Sequence, residues 1–281
     1  LFQLLPTVDT NMTDSQFRRS VPVDQADGLR RLFSGRTMQF VPVISNPHIA
    51  FGGVLIERLC SVLDDLGLNT LLVDASERGG APKELARFDL GDAIEPLSER
   101  VSYLAASGLP VRWVDSRGST RGFLDAVAEA VPHCEVVLVL GTALEMARLF
   151  GRGDEGLPAP RPLVLCEDRP DAMTHAYTAL KILAQRVGWR AYDLLLCAPP
   201  HSQQARTVAD RLGHCVDTFL GGVQHAWVQV DPAEPPTAAP SAHLTLLVRQ
   251  LLAAASTYML SDSGYAGLRS ALPAARLPMM A

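Results

Sequence analysis

Apolar residues in this chain fall into short continuous runs separated by stretches with helical spacing. Phe40-Val41-Pro42-Val43-Ile44 reads as a buried strand. Val54 to Leu66 then places Leu55, Leu59, Val62, Leu63 and Leu66 on one helical face, with Gly67 as its stop. The alternation continues along the chain. Strands are predicted at Thr70–Asp74, Val111–Val114, Glu135–Leu140, Pro162–Cys166, Tyr192–Cys197 and Ala226–Val230. Helices are predicted at Thr120–Ala130, Asp171–Val187, Ser202–Leu212 and Ser241–Ala255. Continuous apolar strands, as opposed to alternating ones, are buried on both faces. Alternation with helices therefore predicts an α/β fold with a mostly parallel sheet and helices on both faces. Such sheets bind ligands at the carboxyl ends of their strands. The loops after Ile44, Asp74, Leu140, Cys166 and Cys197 are the places to look.

The ends differ from this core. Residues 1–23 are polar and aperiodic and are expected to be a disordered arm. Residues 24–36 hold a short amphipathic pattern, with Ala26, Leu29, Leu32 and Phe33 on one side and Asp24 as its cap. Residues 37–260 form the expected α/β domain, and 261–281, with Gly, Pro and Ser, a flexible tail. The sequence starts at Leu1, and Met12 is available as a native start.

Composition narrows the function classes. The 281 residues are 48 % hydrophobic and 20 % charged, with a net charge of -5. No dense basic stripe marks a nucleic-acid binder. No apolar stretch approaches the ~20 residues of a membrane span. Leu1 to Arg19 lacks a basic segment followed by an apolar block, so no secretion signal is visible. Cys60, Cys134, Cys166, Cys197 and Cys215 have no metal-ligand spacing and suit reduced, mostly buried thiols of a cytoplasmic protein. His175 and His201 have no partners at triad or ligand spacing, so no metal and no catalytic residue is expected.

The loop after the first strand is Ser45-Asn46-Pro47-His48-Ile49-Ala50-Phe51-Gly52-Gly53. A phosphate-binding loop needs free backbone N–H groups, a lysine and a Mg²⁺-binding hydroxyl. This loop has no lysine, no hydroxyl after Ser45, and Pro47 removes an N–H. It reads as a plain strand–helix connection, with an unusual anion contact through Gly52 and Gly53 as the alternative.

Two stretches resemble the MinD-like ATPase family of flagellar number regulators, known as FlhG or FleN. Asp24-Gln25-Ala26-Asp27-Gly28-Leu29-Arg30-Arg31-Leu32 is similar to that family's DQAxGLRRL element. Cys166-Glu167-Asp168-Arg169-Pro170-Asp171-Ala172-Met173-Thr174-His175-Ala176-Tyr177, with Lys181-Ile182-Leu183, resembles its TPEPTxxTDAYxxIKxL helix. Ala205–Leu212 and Phe219-Leu220-Gly221 also fit. The resemblance implies a P-loop NTPase-like, MinD/ParA-type fold. It aligns the family's GKGGVGKT loop with Asn46 to Gly53. The signature lysine then falls on Pro47, the P-loop lysine on Gly52 and the Mg²⁺-binding threonine on Gly53. The carboxylate ending the second strand survives as Asp74. The next family aspartate falls on Ser76, and the Walker B aspartate, before the 141–150 loop, on Leu140. The expectation is a pseudo-ATPase with no cofactor.

In the family the N-terminal element activates the flagellar GTPase of signal-recognition-particle type. The resemblance therefore implies a partner-binding segment made of Asp24, Gln25, Ala26, Gly28, Leu29, Arg30, Arg31, Leu32 and Phe33, with Gln25 acting on GTP hydrolysis. The same segment also suits a helix folded back on its own domain. The expected function is regulation of flagellar placement, number or assembly through protein contacts. Such a protein would be cytoplasmic, recruited to the pole or inner membrane face by partners, and a monomer or nucleotide-independent dimer. It would bind no nucleic acid and insert stably in no membrane, since the helix Leu244–Leu252 reads as core. The alternatives left open are a residual ATPase with an unconventional loop and a sensor of another small anionic ligand.

Overall fold

In the computed structural model the described residues are 37–76, 79–84, 89–151, 159–235 and 237–259. The segment 24–33 lies outside them, as do the arm and the tail. The sheet has nine strands: β1 (Thr37–Ile44), β2 (Thr70–Asp74), β3 (Glu95–Pro96), β4 (Val101–Ala105), β5 (Val136–Gly141), β6 (Leu163–Glu167), β7 (Ala191–Cys197), β8 (Val223–Val230) and β9 (Ser256–Met259). Their order is β3-β4-β2-β5-β1-β6-β7-β8, and β9 pairs with β1. Pairing is parallel except for β3 and β9.

Side chains alternate across this sheet into two cores. Leu71, Val73, Val137, Val139, Leu194 and Leu196 face one side. There they meet α2 (Gly122–Ala130), α3 (Ala143–Leu149), α4 (Pro170–Val187) and α5 (Gln203–Leu220). Val41, Val43, Leu72, Leu138, Leu165 and Leu195 face the other, under α1 (Gly52–Asp65) and α6 (Ala242–Ala253). The period of two in the strands thus feeds both layers, which is why the strands read as unbroken apolar runs. The expected mostly parallel sheet with helices on both faces is present.

Pro42 sits inside the central strand, where a missing N–H would normally break a ladder. Gln39 and Ser45 donate to Glu135 and Gly141 on the β5 side. Odd residues of β1 therefore turn their main-chain groups to β5, and Pro42 turns away. On that side β9 pairs with residues 37–40 and β6 with 43–44. Pro42 falls in the gap between them, where no N–H is required.

Several elements differ from the sequence expectation. Val111–Val114 is not a strand. Residues Leu109–Trp113 form a 3₁₀ helix opened by Gly108 and Pro110, with Val111 and Val114 exposed and Trp113 packed edge-on against Phe123. The strand in that part of the chain is β4, whose interspersed Ser102 and Tyr103 hid it. The stretch after Leu140 is not only a loop. Thr142 and Glu145 form a capping box that starts α3. Helix α5 runs past Gly213 to Leu220, and Gly221 with φ 58° ends the helix. Ser202 and Ser241 cap α5 and α6, their hydroxyls accepting from the N–H groups of Ala205 and Leu244. Leu244, Leu247, Val248 and Leu251 of α6 are buried, consistent with a core helix. No helix among the described residues is long and apolar enough to cross a membrane.

Buried charge pins two connections. Asp193 in β7 is fully buried and accepts from Arg161 Nε at 2.5 Å. Arg161 also donates to the Gln250 carbonyl of α6. His225 Nδ1 of β8 lies 3.3 Å from the other Asp193 oxygen. Arg58, buried in α1, donates to the carbonyls of Ala238 and Pro235 and pairs with Glu234, strapping the 231–240 loop to the helix.

Removing one member of a buried pair strands the other charge. Arg161→Met should lower stability by about 3–5 kcal/mol in urea unfolding, and Arg161→Met with Asp193→Leu should recover most of that loss. The thiols give a second check. Burial raises Cys60 and Cys166 to about 12 and Cys134 and Cys197 to about 11. At pH 8 these four should stay thiols and react with a thiol reagent only after denaturation. Fast labelling of any of these four in the native protein would contradict the burial.

Candidate functional site

Strands β1, β2, β5 and β6 end on the same edge of the sheet, and the chain reverses direction around β1. The loops that follow them enclose a cleft of about 1140 Å³. Its floor is apolar, with Ile56, Leu72, Leu140 and Leu165. Its walls come from the 45–53 loop, α1 and the β3–β4 hairpin.

The 45–53 loop is held down by its own protein. Asn46, 9 % exposed, donates from Nδ2 to the Leu165 carbonyl at 3.2 Å and the Ala172 carbonyl at 2.9 Å. Its Oδ1 accepts the N–H of His48, and its carbonyl accepts that of Ile49. Ser45 donates to Gly141. The N–H of Ala50 goes to Glu167 Oε2 at 3.1 Å. Pro47 has none to offer. The main-chain donors of residues 45, 48, 49 and 50 are therefore taken by protein acceptors, one of them a carboxylate. At the start of α1, Phe51 provides no side-chain cap and the first turn carries no acid. Gly52 and Gly53 are not demanded by packing. A Cβ at Gly52 would meet only Ile49 at 3.9 Å, and one at Gly53 would meet nothing within 4 Å.

The β2 end is engaged as well. Asp74 Oδ1 accepts the N–H of Ser76 at 3.0 Å and its hydroxyl at 2.6 Å. The pKa of the neighbouring Tyr103 is raised by burial and by the Asp74 carboxylate. Gly79 is required here, because a Cβ would come within 2.9 Å of the Asp74 carboxyl group. At the β5 end, Leu140 offers a hydrocarbon side chain. At the β6 end, Asp168 accepts from the Ser202 hydroxyl.

The electrostatics of the cleft follow from its lining. Glu57, Asp64, Asp74 and Glu95 contribute carboxylates, and no lysine or arginine is among the described lining residues. At the outer rim Lys83 pairs with Glu95 at 2.7 Å and Arg100 with Asp64 at 3.5 Å, all of them solvent-accessible. His175 lines the cleft with its ring 5.7 Å from that of His48. Burial lowers the His175 pKa and the neighbouring His48 adds to this, so the ring is neutral near pH 7. Among the described residues no group of three or more His, Cys, Asp or Glu is placed to hold a metal.

The structure brings Pro47, Gly52, Gly53, Asp74, Ser76 and Leu140 together around one cleft, as their places at strand ends suggested. The partner-binding residues Asp24 to Phe33 lie outside the described residues. Sequence reading missed Asn46, Glu167 and Tyr103 as determinants of the site. Nothing local marks Glu167, since its role depends on a loop 117 residues away. The Thr142-x-x-Glu145 spacing was a legible cap signal.

No protein-family profile and no curated protein matches the sequence. Solved structures do match the fold. The MinD cell division protein of Aquifex aeolicus superposes with a TM-score of 0.51 at 12 % identity, covering 76 % of this chain and 97 % of that one. A Cyanothece McdA variant in complex with ATP gives 0.52 at 12 % identity, covering 77 % and 96 %. A putative plasmid partition protein of Borrelia burgdorferi B31, bound to AMPPNP, gives 0.51 at 6 % identity, covering 76 % and 97 %. The chain has the MinD/ParA-type P-loop NTPase-like fold.

Proposed function

We propose that this protein is a non-catalytic MinD-like regulator that acts through protein contacts and does not turn over nucleotide. The observation that carries this reading is the engagement of the N–H groups of residues 45, 48, 49 and 50 by acceptors of the protein itself. In this fold phosphates are bound by free loop N–H groups together with a lysine. Here Asn46 and Glu167 take the N–H groups of His48, Ile49 and Ala50, and Glu167 puts a negative charge beside the loop. The described lining of the cleft adds four carboxylates and no lysine or arginine. Phosphoryl transfer depends on positioning and on neutralising charge, so nucleotide would meet repulsion where catalysis needs attraction. Leu140 supplies no metal ligand, and Asp74 is held by Ser76.

The biological setting rests on the resemblance of Asp24–Leu32 and of Cys166–Tyr177 to the flagellar number regulators. The partner is the flagellar GTPase of signal-recognition-particle type, met through Asp24–Phe33 in the cytoplasm, with Gln25 acting on GTP hydrolysis. The open cleft favours a second reading, a sensor of a small ligand, which a thermal-shift screen would reveal because binding raises apparent stability.

Calorimetry with ATP and Mg²⁺ should show no saturable binding, with any affinity weaker than about 1 mM. Micromolar binding would restore the ATPase reading. Installing Pro47→Lys, Gly52→Lys and Gly53→Thr together should leave hydrolysis absent, because Glu167 still holds the Ala50 N–H and residue 140 is still leucine. Turnover by this triple variant would show that the missing cations alone silence the site. For the partner, deletion of residues 1–35 should abolish co-purification with the GTPase. Gln25→Ala should keep binding and lose stimulation of GTP hydrolysis. Undiminished capture by the truncated chain would remove the partner assignment.

A further inference from the structure

The cleft at the strand ends encloses about 1140 Å³, room enough for a small molecule. Its floor gathers Ile56 of α1, Leu72 of β2, Leu140 of β5 and Leu165 of β6, so four separate elements bring hydrocarbon to one place. Charge of one sign stands above that floor. Helix α1 turns Glu57 and Asp64 to the cleft, seven residues apart and hence on one face. Asp74 stands half-buried at the end of β2, beside Leu140 in the β2–β5 pairing.

The protein's own cations show how this field is used. Lys83 and Arg100 reach Glu95 and Asp64 from the outer rim. Among the described residues no lysine or arginine pairs with Asp74 or Glu57. The groups against Asp74 are the neutral Ser76 and Tyr103. His175 adds no positive charge near neutral pH, because burial and His48 lower its pKa. Carboxylates on an open surface attract counter-ions only weakly, through water. Carboxylates over a recessed apolar floor act through less water, and an ion pair there is stronger. A cation with an apolar body gains from the charge and from the floor together. An anion is repelled, and a small inorganic cation gains nothing from the floor.

We propose that the cleft is a binding site for a small organic cation, with an ammonium or guanidinium group set against Asp74 and Glu57 and an apolar body on the floor between α1 and the strand ends. This deepens the sensor reading and rests on the cleft being closed to nucleotide. The anionic ligand that the sequence left open is replaced by a ligand of opposite charge.

Calorimetry on the full chain at neutral pH tests this with indoles that differ in charge. Tryptamine is the cation, tryptophol its neutral counterpart and indole-3-acetate the anion. Tryptamine should bind saturably and about tenfold or more tighter than tryptophol, and indole-3-acetate should not bind. Methylammonium, which has the charge without the apolar body, should not displace tryptamine at equal concentration. Asp74→Asn and Glu57→Gln should each weaken tryptamine about tenfold and leave tryptophol unchanged. Asparagine can still accept from Ser76, and Glu57 is exposed, so both variants should keep the thermal midpoint of the parent. Equal binding of the indoles, displacement by methylammonium, or tryptamine affinity indifferent to both substitutions would overturn the proposal. ATP and Mg²⁺ titrated into the same preparation separate the two readings. If neither tryptamine nor ATP binds, only the cation site is overturned. Saturable ATP binding overturns the functional reading and the cation site with it.

Discussion

Burial of β1 on both faces and both flanks is the constraint on which the domain depends. Its odd residues bond to β5, and its even residues face β9 and then β6. Met38, Phe40 and Ile44 enter one core, and Val41 and Val43 the other. Each apolar layer needs β1 as its middle, so register cannot slip by one residue without exchanging the two faces. The strand also sets where the next loop begins. Ser45 is tied to Gly141 by the last ladder hydrogen bond, and the cleft opens from that point.

Rigidity at this point has a chemical consequence. A loop that receives phosphate must keep its N–H groups unpaired until the ligand arrives, which costs stability in its absence. Residues 48–50 of the loop after β1 instead use Asn46 and Glu167 as internal acceptors. Asp74 likewise accepts from the N–H and hydroxyl of Ser76. The same contacts settle the loop at the mouth of a cleft with carboxylates in its walls.

Much of the fold was legible. The strands from Glu135, Pro162 and Tyr192 were visible because both faces are covered, so nearly every residue is apolar. Helices α1, α4 and α6 were visible because Leu55, Leu59, Leu63 and their counterparts repeat with helical spacing. Two errors share one cause. Val111–Val114 is apolar but partly exposed, and β4 is strand but partly polar, because strand identity there is set by pairing with β2 and β3 and not by hydrophobicity.

The sequence alone determined the alternation of strand and helix, hence a layered α/β domain, and it determined the side chains that stand at each strand end. Those follow from local rules, namely periodicity, caps and residue chemistry. The tertiary structure decided which strand ends share a cleft, why Pro42 is harmless in the central strand, and where the Ala50 N–H goes. Each of those depends on groups far apart in the chain, such as Asn46 with Ala172 and Ala50 with Glu167. No local pattern encodes such a pairing, because a hydrogen bond is satisfied by geometry that exists only once the sheet has formed.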